Sequence, residues 1–385
     1  MTALLLKVFE KAQMGTIHVS LPNGKAKKIV APNPGPAGDL KIHHPSVEYN
    51  LLTKGTIGFG EDYIRGLWDS ENLIDLLNFG SINAPHFEGM IYYGHFLSKL
   101  YMWIGHLSNR NTIKKSKKNI EAHYDLGNDF YQLWLDKSMT YSSGIFGGNQ
   151  SISLYEAQMA KYHRILNKIT QGPILEIGCG WGGFMECAAE KGHSITGLTL
   201  SPSQQAFAMK RFQGKPWEDL ATVKLQDYRD EKNQYNTIVS IEMFEAVGEA
   251  YWSKYFKTIQ GSLKKEGKAF IQVIVIEDKI FEGYKKRGDF IQKHIFPGGM
   301  LPSLSIFKKK AQENNLQVKE VFSFGADYAI TLQKWFENVQ EKEGEILSLG
   351  YSKEFLRKWY FYLAYCIAGF LSKRTDVVQI QLEHV

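Results

Sequence analysis

The sequence predicts an α/β fold, with a mostly parallel sheet covered by helices on both faces and a smaller, mostly helical N-terminal domain ahead of it. Three observations carry this prediction. From about residue 150, short apolar strand runs alternate with segments of helical apolar spacing. The first such strand ends in a glycine-rich turn, "ILEIGCGWGG". Upstream, helical patches such as "ENLIDLLNFG" sit among turn-rich stretches without that alternation.

In chain order, residues 1–110 read as an accessory domain with a polar start, a Pro/Gly linker "APNPGPAGD" and short helices. Residues 111–150 read as a linker and covering segment that begins with "NTIKKSKKNIEAHYD". Residues 151–385 read as the main α/β domain. There "SLYEAQMAKYHRILNKIT" has helical spacing, "PILEIGCG" is a strand and "GGFMECAAEKG" restarts as a helix that stops at Gly192. "SITGLTL" is the next strand, and "SPSQQAFAMKRF" is a helix with Ser201 as its N-cap. "ATVKLQD" and "YNTIVSIEM" follow as strands, then the helix "AYWSKYFKTIQGSL" and the strand "KAFIQVIVI". Such alternation builds right-handed βαβ units, whose ligands sit beyond the C-terminal ends of the strands.

Composition bounds the function. At 385 residues the chain is long for one compact domain. Aromatic residues make up 13%, and that surface must enter a core, a lipid pocket or an interface. The net charge is +6, with basic clusters in "NTIKKSKKNIE", "YKKRGD" and "FKKKAQ" that suit solvated faces or an anionic surface. No glycine/arginine tract, zinc finger or RNP-like motif favours nucleic acid. Three cysteines, Cys179, Cys187 and Cys366, give neither a disulfide framework nor a paired CxxC metal site, which fits a reduced cytoplasmic compartment. The N-terminal apolar run is too short for a signal peptide. "WYFYLAYCIAGFL" is too short to span a bilayer. The reading is a chain that is soluble or lies on a membrane surface, and it leaves a homodimer open.

The glycine turn then narrows the chemistry. A dinucleotide loop needs GxGxxG to place a pyrophosphate on a helix N-terminus. Here the spacing is GxGxGG, and Glu176 stands inside the strand. A carboxylate there repels phosphate and can pair with an ammonium group, which favours S-adenosylmethionine over a nicotinamide dinucleotide. The sheet is accordingly expected to be a Rossmann-like methyltransferase sheet.

Seven segments sharpen this reading: "AHYDLGNDFYQLWLDKSMTYSSGIF", "ILEIGCGWGG", "GLTLSPSQ", "LQDYRD", "IVSIEMFEAVG", "HIFPGGMLPS" and "FGADYAITLQKW". Together, from about Ala122 to about Phe370, the chain resembles the cyclopropane-fatty-acyl-phospholipid synthase family, which includes the mycolic acid cyclopropane synthases. The resemblance implies an S-adenosylmethionine-dependent transferase that acts on a carbon–carbon double bond of a lipid acyl chain. Its expected partner is an unsaturated phospholipid, not nucleic acid, met by peripheral contact with the inner face of the membrane, with residues 1–110 as the expected lipid- or membrane-binding part and the basic linker drawn to an anionic leaflet. It also implies roles for individual residues. Tyr141 and Ser142 would lie near the methionine end of the cofactor, and Ile174 through Gly182 would line its backbone. That loop holds Glu176, Gly178, Cys179, Gly180 and Gly182. Thr199, Leu200 and Gln204 would hold the ribose and neighbouring groups, and Asp227 and Tyr228 would flank the adenine.

The chemistry makes further demands. The alkene attacks the sulfonium methyl and leaves a carbocation on the chain, so the site must be dry, must orient both partners and must tolerate a cation. Ring closure then needs a base. The resemblance implies a bound bicarbonate in that role, held by a glutamate, a tyrosine, a histidine and a cysteine-containing turn. Glu245 of "MFEAVG" and Tyr328 of "FGADY" match the first two. Ser143 of "YSSG" stands where the family often has "YSCA", Gln272 of "FIQVIVI" stands at the histidine, and Ala246 replaces another common histidine. Serine and glutamine still hydrogen-bond an oxyanion, yet neither supplies a titratable donor, so a weaker bicarbonate site is expected. Both outcomes stay open: ring closure, and C-methylation without it if the proton leaves a chain carbon. Cys366 matches a family cysteine once considered a nucleophile, but no base adjoins it in sequence, and a buried structural thiol is the plainer reading. His123 matches a motif leading into the site. Phe244 and Trp335 suit either an acyl tunnel or plain core.

Overall fold

The computed structural model of the chain describes residues 3–87, 126–169 and 171–385. The basic segment 111–121 and His123 lie outside these residues. The described residues form two compact units. One draws on Met1–Ser108, Gly283–Ile295 and Leu332–Arg374, the other on Asn109–Glu282, Phe296–Thr331 and Thr375–Val385.

The first unit holds a four-stranded sheet in the order β2-β1-β3-β4, made of β1 (Met14–Ser20), β2 (Ala26–Val30), β3 (Asn33–Ile42) and β4 (Trp68–Asp69). The segment 31–39 reads as a linker in sequence, yet most of it is β3. Its prolines fit because the β1–β3 pairing skips between Met14 and Thr16, so Pro34 and Pro36 fall in the irregularity, where no ladder amide is required. The helix Ser46–Ile64 kinks at Gly55, where φ is 58°. Its Phe59 stacks on Trp68 at 4.1 Å, and the Arg357 guanidinium lies 3.9 Å over Tyr63 while donating to Asp69 at 2.7 Å. Arg357, Trp335 and Cys366 all belong to this unit. Trp335 is wholly buried. Among the described residues no helix is long and apolar enough to cross a membrane.

The second unit is the predicted α/β layer. Its strands are β5 (Ile174–Ile177), β6 (Ile195–Thr199), β7 (Ala221–Leu225), β8 (Tyr235–Ile241), β9 (Leu263–Ile276), β10 (Leu316–Ser323) and β11 (Thr375–His384), in the order β10-β11-β9-β8-β5-β6-β7. From β7 to β9 every pairing is parallel, whereas β11 pairs antiparallel with both β9 and β10. The order in which strands are added reverses at β5, with β6 and β7 laid down on one side of it and β8 then on the other, all of them parallel. That is a topological switch point, where the loops after β5 and β8 part and leave room for a ligand.

Local chemistry explains the connecting helices. Ser153 and Glu156 form a capping box at the start of Leu154–Leu166. Ser201 caps Pro202–Phe212, accepting from the Gln204 amide, with Pro202 at the first helical position. Beneath the glycine turn, Phe184, Met185, Ala188 and Phe212 pack a dry layer with Cys179 and Ile195. Phe244, Tyr255, Phe256 and Phe307 form a second aromatic knot, with centroids 5.0–5.1 Å apart for three of its pairs. Phe244 is wholly buried there, as core.

Gly197 of β6 pairs in register with Glu176 of β5. A Cβ on Gly197 would stand 2.3 Å from Met185 Sδ and 2.8 Å from Cys179 Cβ. Gly197→Ala is therefore expected to cost about 1–3 kcal/mol by overpacking. Urea denaturation checks this, and an unchanged midpoint would refute it.

Candidate active site

The strand ends of the second unit gather two groups of residues. The first surrounds the glycine turn. Gly178, Gly180 and Gly182 have φ of 82°, 52° and 84°, a left-handed backbone that glycine adopts without steric cost. The Gly178 and Cys179 amides donate to the Leu198 carbonyl, which folds the turn against β6. A Cβ on Gly180 would meet nothing within 4 Å, so the turn borders open space. Cys179 points the other way, into the core, and burial holds its thiol well above the usual range.

Glu176 is buried at the end of β5, and its Oε2 has no hydrogen-bond partner among the described residues. Burial pushes its pKa up to about 8, against the opposing charge of Lys161. A buried carboxylate oxygen without a donor, on the strand that leads into the glycine turn, suits the ammonium or hydroxyl groups of S-adenosylmethionine. Thr199 and Gln204 are bonded to each other, Thr199 Oγ1 donating to Gln204 Oε1 at 2.9 Å, and Leu200, half-buried, directly follows Thr199 at the end of β6. After β7, Asp227 accepts from the Arg229 amide and from its guanidinium at 2.8 and 2.5 Å. The Tyr228 ring packs edge-on against Tyr255. Asp227 thus reaches any adenosine already neutralised by Arg229.

The loop 139–146 joins the two groups. Met139 enters it with φ 54°. Tyr141 lies among the rings of Tyr131, Trp134 and Phe296. Ser142 Oγ accepts from Lys161 Nζ at 2.6 Å, and its carbonyl accepts from Gln158. Lys161 is wholly buried, and desolvation lowers its pKa to about 7 despite the charges of Glu242, Asp136 and Glu176. The Gly144 amide donates to Thr331, and the Phe146 and Gly147 amides share Asp327 Oδ2.

The second group centres on a residue that the sequence reading did not single out. Glu242 follows β8 with φ 49°, in the left-handed region where a side chain costs about 1–2 kcal/mol. Its Oε1 accepts from the Ser143 amide at 2.9 Å and from Gln272 Nε2 at 2.7 Å. Its Oε2 accepts from the Tyr328 hydroxyl at 2.6 Å. Ser143 meets it through the backbone; the Ser143 hydroxyl turns to the Gly144 carbonyl. The orientation of Gln272 is fixed from behind. Arg164 donates to Gln379 Oε1 at 3.3 Å, Gln379 Nε2 donates to Gln272 Oε1 at 3.0 Å, and the Gln272 amide nitrogen is left facing Glu242.

Glu245 sits one turn on. Its Oε1 accepts from the Ile274 amide at 2.6 Å, and its Oε2 is buried without a hydrogen-bond partner among the described residues. Burial and the neighbouring charge of Glu242 push its pKa up to about 8. Burial also raises Glu242, while Lys161 and the bonds from Tyr328, Gln272 and Ser143 pull the other way. With three donors against one, Glu242 suits the carboxylate form and Glu245 the protonated form. The sequence signal for Glu242 was a second acidic residue at the C-terminal end of a parallel strand. Gln158 and Lys161, also missed, are spaced i, i+3 on one helix face. Cys366 lies on the helix Lys353–Leu371 of the other unit, where burial and the charge of Asp289 hold its thiol well above its usual range.

The family described as mycolic acid cyclopropane synthetase matches residues 111–380. Tuberculostearic acid methyltransferase UfaA1 of Mycobacterium tuberculosis is 34% identical over 356 residues, covering 89% of this chain and 82% of that protein. Cyclopropane-fatty-acyl-phospholipid synthase of Escherichia coli K12 is 32% identical over 359 residues, covering 91% and 89%. The crystal structure of mycolic acid cyclopropane synthase CmaA1 complexed with SAH and CTAB superimposes with a TM-score of 0.65 at 31% identity, covering 69% of this chain and 97% of that one.

The geometry at Glu176 has a consequence for stability. Its folded pKa, about 8, lies above the ordinary 4.5, so the folded state keeps a proton that the unfolded chain loses. Its contribution to stability is present below about pH 4.5 and is lost as pH rises through about 8. Glu176→Gln should therefore stabilise the cofactor-free protein at pH 8.5 by on the order of 2 kcal/mol and change little at pH 4.5. The same change should weaken S-adenosylmethionine binding about tenfold or more. Thermal melts at both pH values and calorimetric titration check the two halves.

Proposed function

The chain belongs to the mycolic acid cyclopropane synthetase family, and from that premise we propose that it transfers the methyl carbon of S-adenosylmethionine to the double bond of an unsaturated phospholipid acyl chain and closes a cyclopropane ring. The observation that supports this reading is the pairing of a cofactor-type glycine turn after β5 with a carboxylate–tyrosine cluster after β8. Methyl donor and proton acceptor would then act on one acyl chain at the switch point of the sheet. Glu176, Gly178, Gly180, Thr199, Gln204 and Tyr228 would hold the donor, with Tyr141 and Ser142 at its methionine end. Glu245 and Tyr328 would flank the carbocation.

A second reading is C-methylation without ring closure, and two observations favour it. The relative with 34% identity is a tuberculostearic acid methyltransferase by name. The amide of Gln272 also brings no titratable group to the site. The two products of one transfer have the same mass, one CH2 above the substrate. Purified protein, monounsaturated phospholipid vesicles and S-adenosylmethionine should give that increment by mass spectrometry. Mild catalytic hydrogenation should leave it unchanged for the ring, whereas uptake of two hydrogens would establish the methyl-alkene. No mass increment on any unsaturated lipid would overturn both readings.

The lipid is met, on this proposal, at the cytoplasmic face of a membrane, with the chain bound peripherally. Lys285, Lys286 and Arg287, in the last turn of the helix Asp278–Arg287, supply positive charge for an anionic leaflet. Binding to vesicles containing phosphatidylglycerol should fall as salt rises and should be weak on neutral vesicles; binding indifferent to both would overturn this arrangement.

A further inference from the structure

The resemblance brings with it a bound bicarbonate, and the residues here do not fit one. The groups expected to donate to it are the turn at 143, the side chain at 272 and the Tyr328 hydroxyl. All three already donate to Glu242. A free anion in the same place would press against the Glu242 carboxylate, with Glu245 adjoining. We propose that the side-chain carboxylate of Glu242 occupies the position of that anion and is itself the base that removes the proton after methyl transfer. The inference rests on the methyl-transfer reading above.

Three features of the structure carry it. A carboxylate and a bicarbonate present the same planar pair of oxygens sharing a negative charge, so one donor set serves either. The backbone at Glu242 takes a left-handed conformation that few side chains adopt, and from that turn its oxygens accept from donors of three other segments. The Arg164–Gln379–Gln272 chain fixes the Gln272 amide nitrogen toward Glu242, to which it donates at 2.7 Å, with a longer contact of 3.4 Å to the Ser143 carbonyl. Lys161 and Tyr328 are the cationic and phenolic groups facing the carboxylate, and Glu245 is the acidic one.

The step balances without another reactant. The alkene π pair forms a bond to the sulfonium methyl carbon, and the sulfur keeps the electrons of the broken S–CH3 bond. Glu242 takes a proton from the added methyl group, and the C–H electron pair closes onto the carbocation as the third ring bond. If the proton comes from an adjacent chain carbon, the same pair makes a new double bond. In either case Glu242 is left as the carboxylic acid and returns the proton to water after the product leaves.

The test uses the full chain, monounsaturated phospholipid vesicles, methyl-labelled S-adenosylmethionine and buffer stripped of carbon dioxide. The wild-type rate should stay within about twofold when bicarbonate is added. Glu242→Gln, which keeps the shape but not the base, should be about 100-fold slower, and bicarbonate should not restore it. Glu242→Gly relieves the left-handed backbone and empties the position, so it should be slow in stripped buffer and recover about tenfold or more with bicarbonate. A second readout does not depend on turnover: 13C-labelled bicarbonate, followed by NMR, should bind Glu242→Gly and not the wild type. A wild type that needs bicarbonate, a Glu242→Gln variant at full rate, or equal bicarbonate binding by wild type and Glu242→Gly would each overturn the proposal. If the wild type methylates no unsaturated lipid, the functional reading fails, while the NMR titration still decides whether Glu242 fills the anion position.

Discussion

Arginine has no acceptor, and this single fact orients the polar interior of the second unit. Arg164 can only donate, so Gln379 must present its oxygen to it and its nitrogen to Gln272. Gln272 must then present its oxygen backward and its nitrogen forward, to Glu242. Reversing any one amide would set oxygen against oxygen at one contact and nitrogen against nitrogen at the next. The arrangement needs β11 beside β9, since Gln379 and Gln272 are register partners across those strands. The antiparallel edge of an otherwise parallel sheet thereby serves the chemistry several strands away from the cofactor turn.

Buried charge sets the other boundary. Glu176, Lys161, Glu242 and Glu245 are all shifted by desolvation, three carboxylates upward and one ammonium downward. Lys161 stands electrostatically between the two acidic ends, pulling both Glu176 and Glu242 back toward ionisation. The hydroxyl loop carries this coupling in bonds: Lys161 holds Ser142, and the next residue's amide holds Glu242. The loop that would grip the methionine end of the cofactor is thus one peptide away from the candidate base.

The sheet and its helices were legible because their information is local. Apolar periodicity, the caps at Ser153 and Ser201 and the glycine turn each act within a few residues. The segment 31–39 misled because three prolines in nine residues read as linker, whereas an irregular pairing with β1 seats two of them inside a strand. Glu242 was invisible for the opposite reason. In sequence it is one more acid after a strand, and its meaning comes from donors 99, 86 and 30 residues away. Ser143 drew attention through its side chain, yet the contact it makes with Glu242 is through the peptide nitrogen, a property that any residue but proline shares. Replacement of a family cysteine by serine therefore changes less at that position than the letters suggest.

The left-handed turn at Glu242 ties its carboxylate to the main chain, and this alters what must move during a catalytic cycle. A dissolved anion that takes up a proton can carry it away by diffusing out as a neutral acid. A tethered one cannot. Each cycle leaves the proton on a side chain enclosed by an amide, a peptide N–H and a phenol, of which only Tyr328 can exchange a proton readily. The protein would thus exchange dependence on a diffusible small molecule for dependence on a proton exit, and the opening of the site to water after each product would become part of its turnover.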